Sequence, residues 1–243
     1  MPHYRLHRDP KSSHQQISRR VRELGCGPVL DVGSAQGMLG ELLQGSGLAI
    51  DAVEPYLPWA TACRPHYRNV IVGTIEQAPI PAEKYRTIVC ADVLEHTGDP
   101  VAVLKRIHEV AAPDAVYLIS LPNVAHVAVR LMLLMGYFPK MDRGILDRTH
   151  LQFFTIDTAR KMLADAGLEI RRSSRTGIPL DELWRGGEGT WLYDQLMRLQ
   201  YAMVQLLPRL FAMQFVLEAV RADRPVHDKE PPAGYHIEAR ARA

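Results

Sequence analysis

Apolar residues recur along the first half of this chain as short runs separated by helical stripes. Val29-Leu30-Asp31-Val32, Leu48 to Val53, Val70-Ile71-Val72, Thr87 to Ala91 and Ala115 to Leu121 are the runs. Their near-continuous hydrophobicity predicts parallel strands buried on both faces. Between them the spacing changes to that of helices. Ser13 and Gln16 read as a capping box, with Ile17, Val21 and Leu24 on one face. Met38, Leu39, Leu42 and Leu43 give the next stripe, and Pro58 suits the first turn of a helix over Trp59 to Cys63. After Asp99-Pro100, Val103, Leu104, Ile107, Val110 and Ala111 line another. This alternation predicts an α/β fold: a Rossmann-like, doubly wound, seven-stranded and mostly parallel sheet.

Beyond the fifth run the pattern loosens. Asn123 to Met135 reads as an apolar helix and Gly136 to Arg148 as a charged loop. Thr155 caps a helix through Ala166, with Gly167 at its end, and Leu168 to Arg172 is a sixth strand. Residues 176–190 form a glycine-rich loop or lid. Leu192, Leu196, Leu199, Met203 and Leu206 then recur at helical spacing until Pro208. That stripe reads as core or a homodimer contact, with a lid on a membrane surface as the alternative. Phe211 to Val220 predicts the closing strand, and Tyr235 to Ala241 alternates weakly as its rival. The division expected is a cap segment (1–26), a Rossmann-like core (27–175) and a lid, amphipathic helix, closing strand and tail of the same domain (176–243).

Composition narrows the class. A chain of 243 residues, 47% hydrophobic and 23% charged, suits one substantial globular domain. A net charge of +2 gives no reason to invoke nucleic acid. Cys26, Cys63 and Cys90 are odd in number and set in apolar sequence, which fits buried thiols in a reducing compartment better than disulfides or a zinc site. Met1 to Lys11 is polar without an apolar signal-peptide region, and no stretch of about 18 uncharged apolar residues exists, so a cytoplasmic protein is expected.

The chemistry concentrates at strand ends. Residues 28–37, Pro-Val-Leu-Asp-Val-Gly-Ser-Ala-Gln-Gly, predict strand, tight turn and helix start, where backbone N–H groups are presented to a nucleotide-like ligand. Glu54 ends the second strand, where a carboxylate pairs with a ribose diol. The loop lacks the third glycine of a Gly-x-Gly-x-x-Gly dinucleotide fingerprint, which disfavours an NAD-dependent oxidoreductase.

Asp31 and the Gly33 to Gly37 loop resemble motif I of the class I S-adenosylmethionine (SAM) dependent methyltransferases. Val89-Cys90-Ala91-Asp92-Val93-Leu94-Glu95-His96 with Asp99-Pro100, Ser120-Leu121-Pro122-Asn123, and Asp147-Arg148-Thr149-His150-Leu151-Gln152-Phe153-Phe154-Thr155 extend the resemblance over residues 12–220. The last block is similar to that of a bacterial small-molecule or sugar O-methyltransferase branch, related to the ubiquinone-pathway O-methyltransferases. Ser34-Ala35 replaces the commoner Cys-Gly.

The resemblance implies SAM as cofactor and S-adenosylhomocysteine (SAH) as product. By it, Gly33, Ser34 and Gly37 admit the methionine part, Asp31 steers the amino end and Glu54 binds the ribose. Tyr56 and the Gly73-Thr74-Ile75-Glu76 turn flank the adenine. Asp92, Val93 and Leu94 line the side nearest the methyl group, and Ser13 and His14 close over the cofactor from the N-terminal helix. Glu95 is read as a helix-cap residue outside the site.

A hydroxyl nucleophile gains from a neutral imidazole. His150 is the first choice as base, with His126 and His96 as alternatives, and Asn123, Arg130 and Arg148 as substrate contacts. No metal-ligand spacing is visible. Asp92-Val93-Leu94-Glu95 differs from the Asn/Asp-Pro-Pro-Tyr/Phe motif of enzymes that methylate nucleic-acid bases. The expected acceptor is therefore a small molecule, sugar or lipid-linked compound methylated on oxygen, with peripheral membrane contact or a homodimer as accompaniments. A non-catalytic SAM-binding or partner protein on the same fold remains the alternative.

Overall fold

Pairing of the apolar runs sets the frame. The computed structural model describes residues 9–222 apart from 83, 185 and 188. Its strands are β1 (Val29–Val32), β2 (Ile50–Glu54), β3 (Asn69–Val72), β4 (Tyr85–Ala91), β5 (Ala111–Pro122), β6 (Leu168–Arg175) and β7 (Gln214–Arg221). They form one sheet in the order β3-β2-β1-β4-β5-β7-β6. The first five run parallel, and β7 lies antiparallel between β5 and β6. The closing strand is thus the segment expected around residues 211–220, while Tyr235 to Ala241 lies outside the described residues.

Side chains alternate across the strands and build two apolar layers. Val29, Val89 and Leu118 join residues of α1 (Ser13–Leu24), α2 (Met38–Leu42) and α3 (Leu57–Cys63). Leu30, Ile88 and Ile119 join residues of α4 (Pro100–Val110) and, after α5 (Val127–Leu134), of α6 (Ile156–Asp165). Strand order reverses between β1 and β4, so their carboxyl ends part to open a crevice.

At the opposite end of the sheet Asp51 is buried and accepts from Arg68, Asn69, Lys84 and Tyr85. Burial alone would raise its carboxyl, but these donors hold it well below the usual range. Asp51→Ala is expected to cost about 2 kcal/mol, a buried-pair loss discounted because Arg68 and Lys84 are partly exposed. A depressed carboxylate contributes fully above its unfolded value of about 3.9 and loses that contribution as pH falls from there through its lower folded value. Thermal melts should therefore separate wild type and variant at neutral pH and converge in acid.

Several local expectations change. Ser12, not Ser13, caps α1 and makes no side-chain cap bond. Gln16 turns away from the helix start to bond Lys11 O, Arg175 O and Ser174 Oγ, tying α1 to β6. The lid segment holds a one-turn α7 (Leu180–Leu183) before α8 (Trp191–Leu206), and Pro208 opens a short α9 (Pro208–Phe211) where an end was expected.

The stripe on α8 is not core. Tyr193 and Val204 are its buried residues, whereas Leu199 is 58% and Leu206 77% exposed. Gln200 bonding the Ile178 backbone and Tyr201 bonding Asp9 dock the helix by its other side. The apolar face of α8 is therefore turned outward. Among the described residues no helix is long and apolar enough to cross a membrane. Cys63 and Cys90 are buried, Cys26 is half-buried, and all three are free thiols.

Candidate active site

The crevice at the strand carboxyl ends is a cleft of about 1060 Å³. Its first half is built by the turns after β1, β2 and β3. Gly33 sits at φ +71°, and a Cβ there would lie 2.7 Å from Val93 Cγ2, so this approach of turn to turn requires glycine. Ala35 carries a positive φ of 46° and donates its N–H to Glu54 Oε2 at 2.9 Å. Tyr56 N–H donates to Glu54 Oε1 at 2.8 Å. Both carboxylate oxygens are thus oriented by backbone. Asp31 is buried in β1 and receives the Tyr67 hydroxyl at 2.5 Å. Burial pushes its carboxyl up to about 7, with Tyr67 opposing the rise and Glu54 adding to it. Tyr56, Trp59 and the turn Gly73, Thr74, Ile75 and Glu76 complete this half. Asp92, at φ +56°, stands between the halves and accepts from Ser120 Oγ at 2.6 Å and Gln214 Nε2 at 2.9 Å.

The second half joins the turn after β4 to the block around residue 150. Leu151 and Gln152 both donate backbone N–H to Glu95 O. His150 Nδ1 lies 3.0 Å from Ile145 O, and a carbonyl can only accept, so Nδ1 carries the proton and Nε2 the lone pair. Burial lowers the His150 pKa, which keeps this imidazole neutral. His96 Nδ1 is held by Thr149 O at 3.2 Å, and the two rings meet edge to face at 4.7 Å. Glu95 is 1% exposed, lines the cleft, and neither side-chain oxygen has a hydrogen-bond partner. Burial, then Asp92 and Asp147, raise its carboxyl well above the usual range.

Not every sequence candidate reaches the cleft. His126 caps α5, its Nδ1 accepting from Ala128 N–H, and is buried away from the cleft. Asn123 is saturated by backbone: Nδ2 donates to Ala212 O and Arg209 O, and Oδ1 accepts from Ala125 N–H. Arg130 turns back onto Ala125 O. Leu94 packs into the core, and Ser13 is buried on α1 beside His14, which alone of the two lines the cleft. Gly37 packs on α3, where a Cβ would meet Cys63 Cβ at 2.8 Å. Arg148 lines the cleft, paired with Asp142.

Sequence reasoning left out Glu95, Trp59, Gln214 and Tyr67. Glu95 carried a signal, since it precedes His96 in a block already singled out; the other three did not. The absence of metal-ligand spacing along the chain does not carry over to the fold. Glu95, His96 and His150 bring one ligand atom each within 4.8 Å of one another, a set able to hold a cation.

A family model described as a methyltransferase domain matches residues 4–173. The chain belongs to that family. This methyltransferase is 26% identical over 213 residues to a ubiquinone biosynthesis O-methyltransferase of Dinoroseobacter shibae, covering 83% of this chain and 78% of the relative. Against two others of that name the match spans about half of the relative's length, 55% and 50%. Its fold resembles a SAM-dependent methyltransferase of Archaeoglobus fulgidus at TM-score 0.58 and 16% identity, over 85% of this chain and 93% of that one. A Synechocystis magnesium protoporphyrin IX methyltransferase with bound SAH aligns at TM-score 0.57 and 18% identity, over 86% and 84%. The methyltransferase is therefore of the SAM-dependent class I kind. The cleft fits that cofactor: Gly33 leaves room a Cβ would fill, Glu54 is oriented for a diol, and Asp31 offers a carboxylate to an ammonium group.

Proposed function

We propose that this protein transfers the SAM methyl group to a hydroxyl oxygen of a small-molecule acceptor, with His150 as general base. The observation that carries this reading is the His150 imidazole, kept neutral by burial and fixed by Ile145 with Nε2 unprotonated in the wall of the cleft. The O-methyltransferase names of the relatives support oxygen as the nucleophile.

Bound SAM supplies a methyl carbon whose bond to the sulfonium sulfur breaks as its bond to the acceptor oxygen forms, leaving SAH. Asp31 holds the amino end and Glu54 the ribose hydroxyls. Tyr56 and Ile75 flank the adenine. Val93 seats the turn after β4 against Gly33, while Ser120 and Gln214 fix Asp92 between the two halves. His150 Nε2 takes the acceptor's hydroxyl proton. Alignment of this kind supplies most of the acceleration, since effective molarities reach about 10⁵ M or more. A second reading comes from Glu95, whose two unpartnered buried oxygens beside His96 and His150 suit a divalent cation that would polarise the acceptor hydroxyl.

The acceptor is lipid-linked in this proposal. Leu131, Leu133, Leu134, Met135, Tyr137 and Phe138 are exposed on α5 and the segment after it, immediately before the cleft wall at Asp142 to Ile145. Labelled methyl transfer to sugar and phenolic hydroxyls, each with and without a lipid tail, tests this. Leu134→Glu should lower turnover of the tailed acceptor about tenfold or more, the loss of one buried leucine, and spare the soluble one. Equal turnover of both acceptors by wild type and variant would remove the lipid from the reading.

A further inference from the structure

We propose that Tyr67 is a positioning residue for the cofactor's amino group: its hydroxyl fixes Asp31 so that one carboxylate oxygen is anchored and the other serves the cleft. This rests on the SAM site described above and extends it to a side chain outside the cleft lining.

Asp31 lies in the middle of the sheet, its backbone paired with Ala52 on one side and Val89 on the other. The main chain therefore holds Cα still, and only the side-chain torsions are free to misplace the carboxylate. Among the described residues Tyr67 is the sole hydrogen-bond donor to it, through Oδ2. Asp31 lines the cleft, so Oδ1 is the oxygen assigned to the ligand. Tyr67 comes from a distant part of the chain, directly after the 3-10 turn Arg64–His66 and just before β3, and is itself buried.

The phenol oxygen is held from a second side. It accepts the Gly40 N–H at 3.0 Å. That N–H belongs to the first turn of α2, where the capping residue Gly37 offers no side-chain bond. Gly40 also explains how the ring gets there, because a Cβ at this position would lie 2.7 Å from Tyr67 Cζ. One oxygen thus links α2, the segment before β3, and the carboxylate of β1. It accepts from Gly40 through a lone pair while its proton is donated to Asp31. The arrangement has the logic of a supporting residue that orients a ligand-binding group without touching the ligand.

The charge state of Asp31 follows from its surroundings. Glu54 of β2, Cys63 of α3, Cys90 of β4 and the Tyr67 phenol surround the carboxyl, and His14 of α1 lines the same cleft. Burial and Glu54 disfavour the carboxylate, while the Tyr67 hydrogen bond favours it. An ammonium ligand needs the carboxylate, so affinity should rise with pH through the Asp31 titration.

Calorimetric titration with SAH from about pH 6 to about pH 8 reads this directly. Wild type should bind more tightly as pH rises through about 7, and Asp31→Asn should flatten the profile. Tyr67→Phe should move the midpoint up by about one pH unit and weaken binding about fivefold at pH 7, approaching tenfold at lower pH, one unit being a factor of ten. If Tyr67→Phe does not fold, Gly40→Ala supplies the test. It keeps the phenol but displaces it from Asp31, and alanine suits a helix, so the same upward shift is expected. A role confined to packing would lower the melting temperature and leave the midpoint where it is, which overturns the proposal. Failure of wild type to bind SAH at any pH would overturn the SAM site instead.

Discussion

His150→Ala should lower turnover about 100-fold or more while changing SAH affinity by less than about twofold, the pattern of a lost general base. The expectation rests on where the ring sits and how it is held. It lines the half of the cleft away from Glu54 and Asp31, so the cofactor's own contacts are untouched. Its Nδ1 is committed to Ile145 O, leaving Nε2 as the one basic atom it can offer. The pH dependence adds a second check. Burial depresses the imidazole pKa, so the neutral, active form should persist to lower pH than for an ordinary histidine near 6.5. At saturating SAM, where the Asp31 titration no longer limits binding, the acid limb of kcat/KM for the acceptor should lie below that value and disappear in the variant. A chelator separates the two roles open to His150. Turnover that survives a chelator supports the base, whereas turnover lost to it and restored by a divalent ion supports the cation held with Glu95 and His96. Full activity of His150→Ala would remove both.

Glu54→Ala should weaken SAH binding by about 100-fold or more. Two charge-assisted hydrogen bonds to a ribose diol are worth roughly 1.5 kcal/mol or more each. The same substitution frees the Ala35 and Tyr56 N–H groups that now converge on the carboxylate, so the turn after β1 also loses its tether. Glu54→Gln keeps one acceptor oxygen but sets an amide nitrogen against the Ala35 or Tyr56 N–H, so its loss should fall between wild type and Glu54→Ala. Calorimetry beside a thermal melt distinguishes a lost ligand contact from a lost fold. Unchanged affinity in a well-folded Glu54→Ala would place the ribose elsewhere.

Much of this was readable along the chain because it depends on local order. Continuous apolar runs predicted β1 to β5, and helical stripes predicted the helices between them. Glu54 was identified as a strand-end group because a strand's carboxyl terminus is a sequence position, and Asp92 through the resemblance of the block that holds it. Asp99 and Thr155 announced their helices, and both cap them as expected, accepting from Ala102 N–H and Thr158 N–H.

Local pattern failed where a side chain's partner is distant. Asn123 and His126 sit at a strand exit that resembles a substrate wall, yet the backbone at Arg209 and Ala212 takes up Asn123, and His126 turns its Nδ1 to the Ala128 N–H as a helix cap. The leucine stripe of α8 has the period of a buried helix, but Tyr193, Gln200 and Tyr201 turn the helix's other side inward. A hydrophobic period reveals that a face exists, not which neighbour it meets.

By itself the sequence determined the α/β alternation, the glycine turn after β1 and the carboxylates at the strand ends, because each is set by neighbours within a few residues. Only the tertiary structure decided that Glu95 and His96 meet His150, that Tyr67 reaches Asp31 and that β7 enters antiparallel to hold Asp92 through Gln214. Those contacts join residues dozens of positions apart. They arise from strand order and helix packing, which the whole chain settles at once as it buries its two apolar layers.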